Sequence, residues 1–295
     1  MLPLQHHIHS RPILTSLSKK ISACIAAVVL SHAICTPVAH AAELSPTEIA
    51  ASFANSVDTR LDVPQEEQRE YAARLEQALK DANLVDLPPQ YFVLTDRDPM
   101  VQAIFIYWKS PQGGWEFIGA APTSTGKPGT FDHFVTPLGV FPHTIANPDF
   151  RAEGTRNEHG IRGYGAKGMR IYDLGWVMGQ RGWGKRDQGE MRLQMHSTDP
   201  GVLEKRLGQP ASKGCLRIPG KLNTFIDHYG LIDAEYEQAI KNGQKIWVLR
   251  ADREPVPSPG RYVVVVDSKR QERPAWLPST SKQRPRPPAP TAKKE

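Results

Sequence analysis

The order of apolar and polar residues divides the chain into two textures. Residues 45–84 repeat at the helical period. Ser45-Pro46-Thr47-Glu48 offers an N-cap, a proline at the first helical position and an acid at the third. A second helix starts at Pro64, with Tyr71, Leu75, Ala78, Leu79 and Ala82 on one face, and Pro88-Pro89 stops it. From Tyr91 the apolar residues become aromatic and β-branched, with turn residues between the runs. Tyr91 to Leu94, Ala103 to Trp108 and Trp115 to Gly119 are predicted strands, and Pro111-Gln112-Gly113-Gly114 is the turn before the third. Met169 to Tyr172, Met191 to His196 and Lys245 to Arg250 are further strand candidates. Helices are predicted from about Gly220 to Tyr229 and from Asp233 to Asn242. The glycine-rich stretches Gly160 to Gly168 and Gly175 to Gly184 read as long loops, which on a β scaffold often carry the site.

This pattern predicts a mainly β domain over residues 90–251, preceded by a short helical extension over 42–89. Residues 252–295 are read as a disordered tail rich in Pro, Lys and Arg. The apolar pattern fades beyond Val266, and Gln283-Arg284-Pro285-Arg286-Pro287-Pro288 cannot bury a core. There is no internal repeat. At the other end, Lys19 and Lys20 precede the apolar run Ile21 to Ile34, too short to span a bilayer comfortably. Ala39-His40-Ala41 then matches a small-x-small cleavage site. Residues 1–41 are therefore expected to be a secretory signal peptide, with Ala42 the first mature residue and an exported, periplasmic or cell-envelope location. The alternative is an uncleaved anchor. A lipoprotein at Cys35 is disfavoured by the bulky Ile34 before it.

Charge changes the picture only at the ends. Of the formal +6, residues 1–41 carry +3 and 269–295 carry +6, which leaves −3 for the body between them. A basic groove for nucleic acid is poorly supported. The chain has three cysteines, and two of them, Cys24 and Cys35, leave with the predicted signal. The sole mature cysteine, Cys215, cannot form an internal disulfide. Most lone cysteines are small buried hydrophobes, so its neighbours must decide its role.

Those neighbours are informative. Strand-like Leu193-Gln194-Met195 leads into His196-Ser197, a loop follows, and the chain reaches Ser212-Lys213-Gly214-Cys215-Leu216-Arg217. A free thiol, with a pKa of about 8.5, is little ionised near neutrality. A nearby imidazole can take its proton and leave a thiolate–imidazolium pair. The Ser197 carbonyl is a candidate to fix the imidazole tautomer. Gly214 lets the chain turn tightly, and the amides of Gly214 and Cys215 are candidate oxyanion donors. Arg217 is a candidate partner for a substrate carboxylate.

His196, then a loop, then Ser212-x-Gly214-Cys215-x-Arg217 resembles the signature of L,D-transpeptidases with the YkuD-type catalytic domain. Ser124-Thr125-Gly126-Lys127-Pro128-Gly129 and Thr136-Pro137-Leu138-Gly139-Val140-Phe141 resemble upstream family segments in the same order. Asn242 to Val248 resembles the closing turn and strand. The likeness covers about Tyr91 to Arg250. It implies a YkuD-like β-sandwich with Cys215 as nucleophile, His196 as base and Ser197 as its carbonyl partner. It also implies oxyanion donors at Gly214 and Cys215, and no cofactor or metal. Lys213 departs from the pattern, standing where the family usually has a second histidine. It is assigned to tuning of the thiol or to a substrate carboxylate, with a purely solvent-facing side chain as the alternative. The implied reaction forms a thioester with a peptidoglycan tetrapeptide stem and passes the acyl group to an amine on another stem or a protein. Such work belongs to cell-wall biogenesis and cell shape. Water as acceptor would give an L,D-carboxypeptidase. The rivals are another cell-wall cysteine peptidase and a non-catalytic wall-binding module.

Other residues promise less. His133, His143 and His159 lack neighbours at ligand spacing, and Gly126-Lys127 lacks the full phosphate-loop spacing. Asp96, Asp98 and Asp173 read as turn or surface acids. Trp176 and Trp183 are read either as walls of a substrate groove or as packing.

Overall fold

The computed structural model describes residues 44–278. The predicted signal segment and the end of the predicted tail lie outside the described residues. Two helices come first among the described residues: α1 (Pro46–Ser56) and α2 (Gln65–Asp81). The Ser45 cap forms as a reciprocal box. The Glu48 amide donates to Ser45 Oγ (3.3 Å), and the Ser45 amide donates to Glu48 Oε2 (2.7 Å). Ten strands follow. They are β1 (Gln90–Asp96), β2 (Ala103–Lys109), β3 (Trp115–Pro122), β4 (Phe134–Val135), β5 (Gly139–Pro142), β6 (Phe150–Arg151), β7 (Arg170–Arg181), β8 (Gln188–Ser197), β9 (Leu216–Ile218) and β10 (Tyr262–Val266). Helices α3 (Gly220–Tyr229) and α4 (Ala234–Lys241) lie between β9 and β10. The fold is mainly β. Among the described residues no helix is long and apolar enough to cross a membrane.

The strands form two mixed sheets. One runs β3-β2-β1-β10-β5, and the other β4-β7-β8-β9 with β6 beside β7. The two share a core, because alternate residues of each point at the other. Tyr91, Val93, Ile104 and Ile106 of the first sheet meet Leu193, Met195, Leu216 and Ile218 of the second. The opposite face of the first sheet is covered by α2, with Tyr71, Leu75 and Leu79 against Phe92, Leu94, Phe105 and Val264. Covered on both faces, β1 is buried along its whole length.

The predicted domain boundaries need two corrections. The helical segment is no extension. Ile49 and Phe53 of α1 belong to the shared core, and an added Cβ on Gly119 of β3 would lie 2.2 Å from the Phe53 ring. Nor do the described residues from 252 to 278 form a tail. Tyr262–Val266 pairs in parallel with β1 and antiparallel with β5, in the middle of the first sheet. Four consecutive valines suit a strand buried on both faces. The chain beyond them stays attached, as the Ser268 amide donates to Asp96 Oδ1 (3.1 Å) and Trp276 packs edge-on against Tyr71. Lys245 to Arg250, predicted as a strand, forms turns instead. Asp96 and Asp98 are buried, not surface acids: Asp96 accepts from the Tyr71 hydroxyl (2.7 Å), and Asp98 Oδ1 accepts from the Met100 amide (2.8 Å).

A charge cluster ties β6, β7, α3 and the start of α4 together. Arg170 is fully buried. Its Nη1 and Nη2 reach Asp233 (2.7 and 2.8 Å), and its Nε reaches Asp149 (2.6 Å). His143 closes the cluster. Its Nε2 lies 2.9 Å from Asp149 Oδ1 and its Nδ1 lies 2.8 Å from the Ile232 carbonyl. Both ring nitrogens face acceptors, so the ring is an imidazolium. Burial pushes His143 down, but Asp149 and then Asp233 outweigh it and hold its pKa above the ordinary value. That raised value makes His143 stabilising below about pH 6.5, with the contribution lost as pH rises through the folded-state pKa. His143→Gln should cost about 1–3 kcal/mol near neutral pH or below, because Asp149 loses one of its two cationic partners and keeps only Arg170. Urea midpoints from about pH 6 to pH 9 should fall in the parent relative to the variant; parallel curves would show that the ring is not charged.

Candidate active site

The cysteine turn sits where three separate segments meet. Strands β8 and β9 pair in parallel, with Met195 opposite Leu216 and His196 opposite Arg217. Met195 and Leu216 point into the shared core. By alternation His196 and Arg217 face the other way, and Cys215, two residues before Arg217, comes to the same face. Ser124 bridges Arg217 by two backbone hydrogen bonds (3.0 and 2.9 Å), and Gly126 bridges Ser212. Thr136 Oγ1 accepts from the Gly126 amide (2.8 Å) and donates to the Gly214 carbonyl (2.7 Å). The two upstream segments singled out in the sequence therefore both brace the cysteine turn.

The turn itself is built around Gly214. Its φ of +134° lies in the region that favours glycine, and an added Cβ would stand 2.6 Å from Met191 Cε and 3.2 Å from Phe134 Cβ. Ser212 is buried and holds the turn closed, accepting from the Gly214 amide (3.0 Å) and donating to the Cys215 carbonyl (2.6 Å). The Ser212 hydroxyl is engaged in bracing the turn, and the Gly214 amide is engaged with it. That leaves the Cys215 amide as the candidate oxyanion donor.

His196 is buried, with Nδ1 2.6 Å from the Ser197 carbonyl. A carbonyl only accepts, so Nδ1 carries the proton and Nε2 keeps its lone pair. The edge of Tyr164, from the first long glycine loop, packs on the ring at 4.7 Å between centroids. Burial, partly offset by the Ser197 bond and reinforced by Arg217, pushes the His196 pKa down to about 4. The ring is a neutral base at physiological pH.

Cys215 is half-buried, and its Sγ lies 3.8 Å from the Arg192 carbonyl of β8. Among the described residues no hydrogen bond joins Cys215 to His196. Burial raises the thiol pKa. The Gln194 amide and Arg217 oppose the rise and Asp173 adds to it, with a net shift upward. The resting pair is thiol and neutral imidazole, not the thiolate–imidazolium pair expected from the sequence. Lys213 is 64% exposed and pairs with Asp132 at 2.7 Å.

Arg217 is the cation beside the sulfur. Its Nη1 donates to the Ala211 carbonyl (3.1 Å), while its Nε is buried without a partner. Among the described residues it has no carboxylate partner. A half-buried guanidinium whose Nε is buried and unpaired is suited to an incoming anion.

The same face holds residues that were not singled out. Arg192 and Gln194 alternate with apolar Met191, Leu193 and Met195, so strand period alone could have assigned them to the His196 face. Asp173, read as a surface acid, is 0% exposed; its signal was an isolated carboxylate within Ile171-Tyr172-Asp173-Leu174. Trp176 is 59% exposed under the Arg192 guanidinium, 5.7 Å away, beside the site. Trp183 instead packs on Phe131 and Phe134. Of the three histidines weighed in the sequence as metal ligands, His143 serves the buried cluster, His159 is exposed, and the pKa of His133 is lowered by burial and by the charges of Lys213 and Arg217.

Two outcomes follow from this geometry. Gly214→Ala should destabilise the protein by about 1–3 kcal/mol in chemical denaturation, since backbone and packing both resist a side chain. Alkylation of Cys215 by iodoacetamide should follow a pH midpoint above the ordinary thiol value of about 8.5. Lys213→Ala should leave that midpoint in place, while Arg217→Gln should raise it by removing a stabilising cation. A parent midpoint below the ordinary value would contradict the assignment of a neutral thiol.

No protein-family model matches this chain, and no curated protein matches it.

Proposed function

We propose that this protein is a cysteine acyltransferase of the L,D-transpeptidase type, with a YkuD-like sandwich, exported to the cell envelope and acting on peptidoglycan peptide stems. The observation that carries the reading is the β8–β9 register. It sets the only cysteine of the described residues on the face of a histidine whose tautomer leaves Nε2 basic.

The chemistry starts from neutral partners. As Cys215 Sγ attacks the scissile carbonyl carbon of a stem, its proton passes to His196 Nε2. The oxyanion forms against the Cys215 amide. Collapse breaks the C–N bond, and the imidazolium returns the proton to the leaving D-amino acid as its amine. The thioester is then attacked by an acceptor amine, His196 takes the amine proton, and the departing sulfur recovers it. Water in place of the amine makes the same sequence an L,D-carboxypeptidase. Arg217, a cation with no carboxylate partner among the described residues, is suited to the carboxylate of the leaving residue.

A second reading is a wall-binding module with an inert thiol. It is favoured by the raised thiol pKa and by the absence of a Cys215–His196 hydrogen bond among the described residues. Mass spectrometry of the protein incubated with a disaccharide-tetrapeptide separates the two. The acyltransferase should release the terminal residue and carry the acyl fragment on Cys215, and a carbapenem-type β-lactam should add at the same sulfur. Cys215→Ala should lose both adducts, and His196→Gln should slow acylation by about 100-fold or more. A parent protein that binds the stem without releasing a residue would leave the binding module standing.

A further inference from the structure

We infer that the buried carboxylate of Asp173 is a positioning residue that holds both members of the Cys215–His196 pair in place; the inference rests on the acyl-transfer reading above. Asp173 lies on β7, and three groups hold its side chain. Oδ1 accepts from the Gly175 amide (2.9 Å), while Oδ2 accepts from Arg192 Nε (2.7 Å) and Gln194 Nε2 (3.0 Å). Its own amide donates to Asp149 Oδ1 (2.9 Å), which anchors it to the Arg170 cluster.

From there two paths reach the pair. Arg192 and Gln194 bracket the stretch of β8 whose backbone cradles the sulfur, with the Arg192 carbonyl 3.8 Å from Sγ and the Gln194 amide directed at it. Gripping both side chains fixes that stretch. The second path runs through the Gln194 side chain. With its NH2 committed to Asp173, Gln194 presents Oε1 to the Tyr164 hydroxyl (3.3 Å), and Tyr164 packs on the His196 ring. A carboxylate 0% exposed with both oxygens engaged is costly to build for packing alone. It also places a negative charge near the sulfur, which raises the thiol pKa. The charged or titratable groups around the sulfur are Arg217 on β9, Asp173 on β7, Tyr164 from the loop, and Arg192 and His196 on β8.

Asp173→Asn separates geometry from charge. Asparagine keeps one acceptor oxygen but loses the double grip and the charge. Acylation by the tetrapeptide or a carbapenem should slow by about tenfold or more, as misplaced groups lose rate steeply. The pH midpoint of iodoacetamide alkylation should fall, since the thiolate loses a like-charged neighbour. Loss of fold would also return the thiol to its ordinary value and stop acylation, so the result counts for a variant whose near-UV circular dichroism and cooperative urea unfolding match those of the folded parent. Acylation within about twofold of the parent, or an unmoved alkylation midpoint, overturns the inference. If Asp173→Asn does not fold, Tyr164→Phe and Gln194→Met carry the test. Each should slow acylation by about threefold or more with the alkylation midpoint in place, and unchanged acylation in both overturns the inference. If the parent itself does not acylate, the acyl-transfer reading fails, while the alkylation midpoint of Asp173→Asn still decides whether Asp173 governs the sulfur.

Discussion

Everything at this site depends on the parallel pairing of β8 with β9. That register decides which residues share a face, and a shift by one would send Cys215 or His196 into the core. The register is held from both sides. Met195 and Leu216 are buried in the core shared by the two sheets, and the Ser124 and Gly126 bridges fasten the outer edge of the turn. Gly214 allows the approach, because no other residue fits its backbone angle and the space beside Met191. The site is thus placed by rigid elements, although the cysteine itself sits on a turn.

The electrostatics of the site follow from burial more than from its formal charges. Removing water lowers the His196 pKa and raises that of Cys215, so both are neutral when no substrate is bound. Such a pair avoids a permanently exposed thiolate, the form of cysteine most open to oxidation. Proton transfer is then coupled to attack on a carbonyl. Arg217 and Asp173 pull the sulfur in opposite directions, one favouring the thiolate and the other the thiol.

Much of the first sheet and both ends of the cysteine loop were legible in the sequence. Alternation and aromatic content located β1, β2 and β3 closely, and Cys215 and His196 stood out by composition and by likeness. The misses have physical reasons. Helix α1 was set apart because an amphipathic helix does not reveal which sheet it covers. Strand β10 escapes the sequence because the resemblance closes the fold at Val248, and the run of valines after Tyr262 falls with the proline-rich segment. Lys213 looked important from its place beside Cys215 in the chain, yet on such a turn adjacent side chains diverge. Asp173 was invisible as a site residue because its partners, Arg192 and Gln194, lie across a strand pair that only the register reveals.

The central claim is that a neutral imidazole takes the thiol proton during attack. The pH dependence of thioester formation, measured in single turnovers, tests it most directly. A base with a pKa of about 4 predicts a rate that rises only at acid pH and then stays level through neutrality. A rate that instead climbs about tenfold per pH unit through neutrality, following the thiolate fraction, would contradict it.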